Sequence, residues 1–181
     1  MNKNFKPSGD YIAGFVDGEG CFALKFRRDR QKNVGNQKVR EYFYWGAEFA
    51  IQLRSDDFKI LGLIKEALGC GSVNFLKKSG QVRYSVQNIK DQKEKIVPFF
   101  DKYSILGKKG PDFDLWSRGI KILSKHRDGL LNVQEGRRGF IKKELSEKDR
   151  EELEMIRNQM LVYKSRRTKP FKWGGGQKIS K

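Results

Sequence analysis

The stretch Ile12-Ala13-Gly14-Phe15-Val16-Asp17-Gly18-Glu19-Gly20 decides the fold of this chain. It predicts a short helix, capped at its start by Ser8, whose last turn carries Asp17 and Glu19. A helix C-terminus bears partial negative charge and normally attracts Lys or Arg. Two carboxylates there therefore indicate a cation close by, and a divalent metal is the obvious candidate.

The same helix has one face with almost no side chains, because Gly14 and Gly18 lie four residues apart. Two helices can approach closely along such a face. We expect two copies of the chain to pack there as an isologous homodimer, which brings both Glu19 side chains near a two-fold axis. The predicted interface comprises Ala13, Gly14, Asp17 and Gly18.

The chain is strongly basic. Its 181 residues include 39 Lys+Arg and 22 Asp+Glu, a formal net charge of +17. Such an excess favours a polyanionic partner and steers association with it. No acid follows Glu154, while basic residues continue to Lys181. This end either grips DNA or is only a solubilising tail.

Several classes of protein are disfavoured by the composition. Cys21 and Cys70 are isolated, which argues against a zinc site or a disulfide framework. His126 is the only histidine, so a nuclease with a His general base is poorly supported and a Cys/His zinc finger is excluded. No apolar run approaches the roughly twenty residues of a membrane span, and residues 1–7 lack the apolar centre of a signal peptide. We expect a soluble intracellular protein with no membrane partner and no small-molecule substrate.

Hydrophobic alternation and helix signals give the remaining elements. We expect the first helix to end near Gly20 in a left-handed cap. Period-two patterns predict four strands and one long hairpin loop: strands at about 22–27, 39–54, 72–77 and 81–88, and the loop at 29–38. Further helices are predicted at about 55–68, 90–103, from Pro111 at N1 to about 123, and 146–163.

The order αββαββα predicts an α+β domain with one antiparallel sheet and helices on one face. We place Phe58 and Phe75 on the core side, and we expect a capping box at Ser146-x-x-Asp149. The predicted division is a core at 1–128, a C-terminal helical extension at 129–163 and a basic tail at 164–181.

The other face of the sheet collects side chains that read DNA, since Arg pairs with guanine, Gln and Asn with adenine, and Glu with cytosine. The candidate contacts are Lys25, Arg27, Tyr44, Glu48, Gln52, Arg54, Asn74, Arg83, Ser85 and Gln87. A solvated sheet face is polar in any case, but the net charge of +17 and the bias toward these residue types favour groove contact.

The opening stretch resembles the signature of the LAGLIDADG homing endonucleases in its "AGFVDGEG" form. The resemblance covers about 8–123, including Phe49-x-Ile51-x-Leu53, Leu68-Gly69-x-Gly71 and the segment from Lys108-Lys109 to Trp116. It implies the αββαββα fold with a saddle-shaped sheet that lies in the DNA major groove. It also implies a homodimer, because chains with a single signature pair with a second copy.

The resemblance assigns roles at the site. Glu19 matches the essential acid that ligates Mg²⁺, and Gly18 matches the neighbour whose carbonyl joins the coordination. Mn²⁺ is expected to substitute, and Ca²⁺ to support binding with little cleavage. Lys108 or Lys109 matches a basic residue near the scissile phosphate, and the two remain alternatives. Asp17 matches an acid that holds the helix end.

One position departs from the family pattern. Related chains place a water-positioning polar residue where this chain has Leu53, so Gln52 or Arg54 would have to take that role. The implied function is a meganuclease, a hydrolase that cuts both DNA strands at a long site, leaves 3′ overhangs and is borne by an intron or intein. The alternative is an RNA maturase or regulator on the same scaffold without cleavage. A basic ribosomal or RNA-chaperone protein would explain the charge but not the first helix.

Overall fold

The computed structural model describes residues 6–32, 39–128 and 145–164. Its elements are α1 (Gly9–Glu19), β1 (Gly20–Lys32), β2 (Val39–Arg54), α2 (Phe58–Leu68), β3 (Ser72–Leu76), β4 (Gln81–Val86), α3 (Ile89–Asp91), α4 (Val97–Lys102), α5 (Lys109–Asp128) and α6 (Glu147–Lys164). A 3-10 turn at Ser55–Asp57 precedes α2, and a π turn at Gln92–Ile96 joins α3 to α4. The predicted α+β class and the order αββαββα are confirmed.

The four strands form one sheet in the order β1-β2-β4-β3, and every neighbouring pair is antiparallel. Phe22 of β1 lies at the centre of the core on one face. Its ring is 5.1 Å from those of Phe49 and Trp116 and 5.8 Å from that of Phe100, measured between centroids. These contacts join β1 and β2 to α4 and α5. The opposite face of the sheet is thereby left for polar side chains.

Helix α1 docks through Ile12, Ala13 and Val16, which are at most 3% exposed. Ser8 caps its start, because the Ser8 hydroxyl accepts a hydrogen bond from the Tyr11 backbone N–H at 3.2 Å. Its end differs from the predicted left-handed cap, since Gly20 has an extended backbone with φ −73° and ψ 162°. Gly20 is required by close approach: a Cβ atom there would lie 2.6 Å from the Val16 carbonyl oxygen.

The first hairpin is longer than predicted. Its ladder runs from Gly20↔Ile51 to Lys32↔Val39, so β1 continues through residues that we assigned to a loop. An antiparallel ladder is formed by backbone N–H and C=O groups, so polar residues can continue it. Residues 33–38, the rest of the predicted loop, lie outside the described residues.

The predicted core positions of Phe58 and Phe75 are wrong. The two side chains are 42% and 55% exposed and pack on each other, with ring centroids 5.8 Å apart. Phe75 lies on β3, which is an edge strand, and the apolar stripe of α2 begins only at Leu61. The predicted stop of α2 is confirmed, because Gly69 is left-handed with φ +64°.

Helix α5 begins at Lys109, so Pro111 is its third residue instead of N1. A proline is still tolerated there because backbone N–H groups of the first turn have no helical partner. The capping interaction of α6 is confirmed: the Asp149 N–H donates to the Ser146 hydroxyl at 3.1 Å.

Helix α6 belongs to the same core as the sheet. Its Leu153, Ile156 and Met160 are at most 3% exposed and pack with α5 and β1. The rest of the predicted extension, 129–144, and the basic residues from 165 onward lie outside the described residues. Within the described part of the chain no helix is long and apolar enough to cross a membrane.

Candidate nuclease site and nucleic-acid interface

The end of α1 is tied to the loop that precedes α5. The Asp17 carboxylate accepts hydrogen bonds from the backbone N–H groups of Gly107 at 2.6 Å and Lys109 at 3.4 Å. A Cβ atom on Gly107 would clash with Asp17 Oδ2, so a larger residue there would displace the carboxylate from this contact. Asp17 is therefore a tether between two segments about ninety positions apart in sequence, and it fixes the end of α1 against the loop.

The cation expected at the end of α1 is, in this structure, the ammonium group of Lys109. Its Nζ atom donates to the carbonyl oxygens of Asp17 at 2.8 Å and Gly18 at 2.5 Å. These carbonyls belong to the last turn, which has no helical donors of its own. The Gly18 carbonyl, our predicted metal ligand, is thus engaged by Lys109. Lys108 is exposed and lines the same open depression as Gly14 and Gly18.

Glu19 is exposed on the last turn of α1, and among the described residues it makes no hydrogen bond or ion pair. The described residues also contain no cluster of three or more His, Cys, Asp or Glu that could hold a metal ion. Each chain therefore offers one unengaged carboxylate at this point, next to the carbonyl of Gly18.

The glycine face of α1 is open. A Cβ atom built on Gly14 or Gly18 meets nothing within 4 Å. Ala13, which we expect at the interface, is 3% exposed and packs in the chain's own core, so it adds little to this face. The Asp17 carboxylate, also predicted at the interface, instead binds the N–H groups of the loop before α5. Two further residues expand the apolar surface here, and we did not predict them: Tyr11 is 45% exposed and Leu106 is 91% exposed.

Tyr11 could have been found from the sequence, because it lies three residues before Gly14 and so shares its helix face. Leu106 could not, since only the folded loop brings it beside the end of α1 through the Gly107–Asp17 contact.

The outer face of the sheet is a connected network, not a set of separate side chains. Glu48 accepts hydrogen bonds from Arg83 Nη2 at 2.9 Å and from Gln87 Nε2 at 2.9 Å, and it forms an ion pair with Lys25. Burial alone would raise the pKa of Glu48, but the hydrogen bonds from Lys25 and Gln87 and the charges of Lys25 and Arg83 together lower it.

The network continues along β2 and β4. Arg83 Nη1 donates to the Gln52 amide oxygen at 2.8 Å, and the Gln52 amide nitrogen donates to Gln81 at 2.7 Å. Gln81 was not among our candidates. Arg54 instead pairs with Asp56 at 2.8 Å, and both side chains are well exposed, at 81% and 62%.

Two of the ten candidate contacts are less accessible than predicted. Glu48 is 3% exposed, because Lys25, Arg83 and Gln87 lie against it, and Ser85 is 8% exposed. Arg27, Tyr44, Asn74 and Gln87 are exposed as predicted. Lys25, Gln52 and Arg83 are half-buried, and Arg54 is exposed.

Leu53, where we expect the departure from the family pattern, is half-buried and packs against the core. It cannot present a polar group. Because Gly20 pairs with Ile51, the end of β2 lies beside the end of α1, and Arg54 extends beyond that point.

An antiparallel sheet with one polar face, and a glycine-faced helix whose last acid has no partner among the described residues, agree with the fold that the resemblance to the homing endonucleases implies. A family model described as "LAGLIDADG endonuclease" matches residues 12–120. The chain belongs to the LAGLIDADG endonuclease family, as its sequence predicted.

Two similar proteins are named as probable intron-encoded endonucleases. The chain is 30% identical over 122 residues to "Probable intron-encoded endonuclease Cox1-I1b" of Schizosaccharomyces pombe, which covers 67% of this chain and 28% of that protein. It is 28% identical over 115 residues to "Probable intron-encoded endonuclease 3" of Neurospora crassa, covering 62% and 20%. The chain thus spans less than a third of these relatives.

Among solved structures, the LAGLIDADG homing endonuclease I-GzeII in complex with its DNA target matches with a TM-score of 0.65 and 25% identity. The match covers 91% of this chain and 47% of that one. I-SmaMI bound to an uncleaved DNA target in the presence of calcium ions matches with a TM-score of 0.62 and 24% identity, covering 89% and 48%. In both cases the chain spans about half of the solved one.

Proposed function

We propose that this chain is a metal-dependent DNA endonuclease domain that hydrolyses both strands at a long site and leaves 3′ overhangs. The observation that carries this proposal is Glu19, an exposed carboxylate without a partner among the described residues, placed where the helix dipole disfavours it. Such an acid lowers stability unless a cation uses it. The DNA complexes of I-GzeII and I-SmaMI, which share the fold, support DNA as the partner.

The donor set fits a hard divalent cation. Mg²⁺ prefers carboxylate, carbonyl and water oxygens, and Glu19 with the Gly18 carbonyl supplies two of these types on consecutive residues. One free carboxylate per chain is too few for a complete site, so a second domain has to contribute its own. When bound, Mg²⁺ would supply charge stabilisation at the attacking and leaving oxygens. Mn²⁺ would substitute, and Ca²⁺ would support binding with little cleavage.

Lys109 and Lys108 have different roles in this proposal. Lys109 holds the carbonyl end of α1, which orients the peptide that carries Glu19. It also engages the Gly18 carbonyl, so a divalent cation bound there would compete with the Lys109 ammonium for this oxygen. Lys108 is exposed in the same depression and is available to the scissile phosphate from the start.

Water next to the phosphate would be positioned by Arg54 in place of Leu53. Gln52 is occupied on both ends of its amide by Arg83 and Gln81. Arg54 has only an exposed ion pair with Asp56, a type of contact that is worth little and exchanges easily with solvent.

We further propose that the missing half of the site is a second copy of this domain, packed through Gly14 and Gly18. The open glycine face, with exposed Tyr11 one turn earlier on the same helix, supports this arrangement. The duplex has an approximate two-fold axis of its own, so each copy would serve one strand.

The test selects targets from a randomised duplex pool with purified protein in Ca²⁺, then adds Mg²⁺ and sequences the cut ends. Glu19→Gln keeps the size of the side chain and removes its charge. We expect the parent to cut the enriched duplex at defined ends and Glu19→Gln to bind it but leave it intact. Glu94→Gln, which changes an exposed acid on the π turn, is the matched control and should cut normally.

Equal cutting by parent and Glu19→Gln would refute the assignment. Specific binding without cutting by any variant would instead support the maturase or regulator alternative, and structured RNA would be tested next.

A further inference from the structure

Glu48 lies on the polar face of the sheet, yet it is one of the least exposed side chains there, at 3%. A carboxylate that reads cytosine has to offer an oxygen to the exocyclic amino group. Here Oε2 is taken by Lys25 and Arg83, and Oε1 is taken by Gln87. The geometry excludes Glu48 as a direct reader in this arrangement, which corrects our prediction for that residue.

The three partners of Glu48 come from different places in the sheet. Lys25 is on β1, Arg83 is on β4, and Gln87 follows the end of β4, while Glu48 itself is on the central strand β2. One carboxylate on β2 therefore joins long polar side chains from both neighbouring strands at a single point. Charge-assisted hydrogen bonds of this kind are the strong ones, and they fix orientation as well as position.

Arg83 is held most firmly. Its Nη2 atom donates to Glu48 and its Nη1 atom donates to Gln52, so both ends of the planar guanidinium are anchored. Gln52 is oriented in turn by its bond to Gln81, which leaves the amide oxygen pointing at Arg83. A guanidinium has five N–H donors, and the Arg83 side chain is 31% exposed. Donors thus remain for a ligand on the outer face.

We propose that Glu48 is a positioning residue for DNA sequence recognition: it holds Lys25, Arg83 and Gln87 in one fixed constellation and offsets part of their positive charge. This inference rests on the proposed function, in which the outer face of the sheet contacts DNA. It adds that one buried acid sets how well that face distinguishes base pairs.

The physical reason is that hydrogen-bond donors held in one position distinguish between base pairs, whereas mobile cationic side chains only attract DNA. A long side chain that is ordered before binding loses less conformational entropy on contact. An unpaired lysine or arginine reaches phosphates, and phosphate contacts carry no sequence information. Removing the acid therefore raises affinity for random DNA and lowers affinity for the right sequence.

The test compares Glu48→Gln with Asp56→Asn on the enriched duplex and on random duplex. Both substitutions remove one acid that pairs with an arginine, but Asp56 lies in the 3-10 turn after β2, and its exposed pair with Arg54 includes no further described residue. For Glu48→Gln we expect tighter binding to random duplex, with a slope of log K against log salt that is steeper by up to about one. Discrimination should fall by about tenfold to a hundredfold. Asp56→Asn should bind random duplex more tightly but keep its discrimination.

A double variant separates positioning from charge. Glu48→Gln with Lys25→Gln restores the parent net charge, so binding to random duplex should return to the parent level while discrimination stays low. It also keeps the test valid should Glu48→Gln alone fold poorly, because no cation of the Lys25–Glu48 pair is then left unpaired.

On the enriched duplex, Glu48→Gln should raise KM and leave kcat near that of the parent.

The outcomes are distinguishable. Loss of affinity for both duplexes in parallel, or discrimination equal to that of Asp56→Asn, would overturn the positioning role and leave the endonuclease intact. If the parent protein itself enriches no sequence from the pool, the proposed function fails and this inference fails with it.

Discussion

Glu19 and Glu48 are two glutamates of one domain in opposite surroundings. Glu19 is exposed and has no partner among the described residues. Glu48 is 3% exposed and contacts three polar side chains. A group that serves a cation or a reacting phosphate has to be left unsatisfied by its own chain. A surface that recognises sequence is better assembled in advance, and the fold provides both conditions on adjoining elements.

The same contrast holds for the surfaces around these residues. The glycine face of α1 has open space at Gly14 and Gly18. On the outer sheet face, by contrast, the polar side chains bind one another in a network of Lys25, Glu48, Arg83 and Gln52. We therefore expect substitutions on α1 to act mainly on association and cleavage. Substitutions at the network should act on stability and recognition.

The largest expected effect tests the open face. Gly14→Leu should leave the monomer folded, since nothing lies within 4 Å of the added Cβ atom. It should break the proposed homodimer, because overpacking costs about 1–3 kcal/mol at each of the two copies. Sedimentation or light scattering would report the solution mass, and thermal unfolding would report the fold.

Gly62→Leu is the matched control for this prediction, since Gly62 also lies in a helix and also has open space around its Cβ position. It should leave the solution mass as it is in the parent. A Gly14→Leu protein with the mass of the parent would refute the glycine-face interface.

The second prediction concerns the stability of the closed network. Glu48→Gln should lower the free energy of unfolding by about 1–3 kcal/mol, because it removes charge-assisted hydrogen bonds and leaves two cations without their acid. Chemical denaturation of parent and variant measures this difference. Asp56→Asn is the control and should stay within about 1 kcal/mol of the parent, as exposed pairs do. Equal stabilities for Glu48→Gln and the parent would show that the network contributes nothing to the fold.

Much of this fold follows from the sequence, because burial imposes a period on each element. The alternation of Ala47, Phe49 and Ile51 places β2 correctly, and the helix signals at Ser8 and Gly69 place α1 and the end of α2. The core position predicted for Phe75 is wrong because alternation alone does not reveal that β3 is an edge strand, where the inner face is only partly covered.

The site is predicted less completely, since it depends on contacts between distant segments. The signature identifies Glu19, but only the loop geometry separates Lys109, which binds the α1 carbonyls, from exposed Lys108. The polar face of the sheet is predicted as well. The contacts of Lys25, Arg83 and Gln87 with Glu48 are not predicted. They depend on the strand register that pairs Gln52 with Arg83 and Gly46 with Lys25.

The third prediction is the pH dependence of the network. The pKa of Glu48 is lowered below 4.5 in the folded chain, so its ionised form stabilises the fold. That contribution to stability is complete above about pH 4.5 and is lost as the pH falls through the lowered pKa of Glu48. Asp149, whose pKa is lowered by hydrogen bonds from Ser146 and His126, titrates in the same acidic range. The difference in unfolding free energy between parent and Glu48→Gln isolates Glu48. We expect that difference to be constant near neutral pH and to shrink below about 4.5, and a difference that grows on acidification would contradict the assigned contacts.

The smallest expected effect has the opposite sign and belongs to Glu19. An acid on the last turn of a helix opposes the helix dipole, so Glu19→Gln should raise the free energy of unfolding by about 0.3–1 kcal/mol in the absence of metal. The gain should vanish at high salt, which screens an exposed charge. Added Mg²⁺ should then stabilise the parent and not the variant, because ligands stabilise only the form that binds them. A destabilised Glu19→Gln protein would mean that Glu19 is structural, like Glu48. The contrast between an acid kept free for a ligand and an acid used by the fold would then not hold.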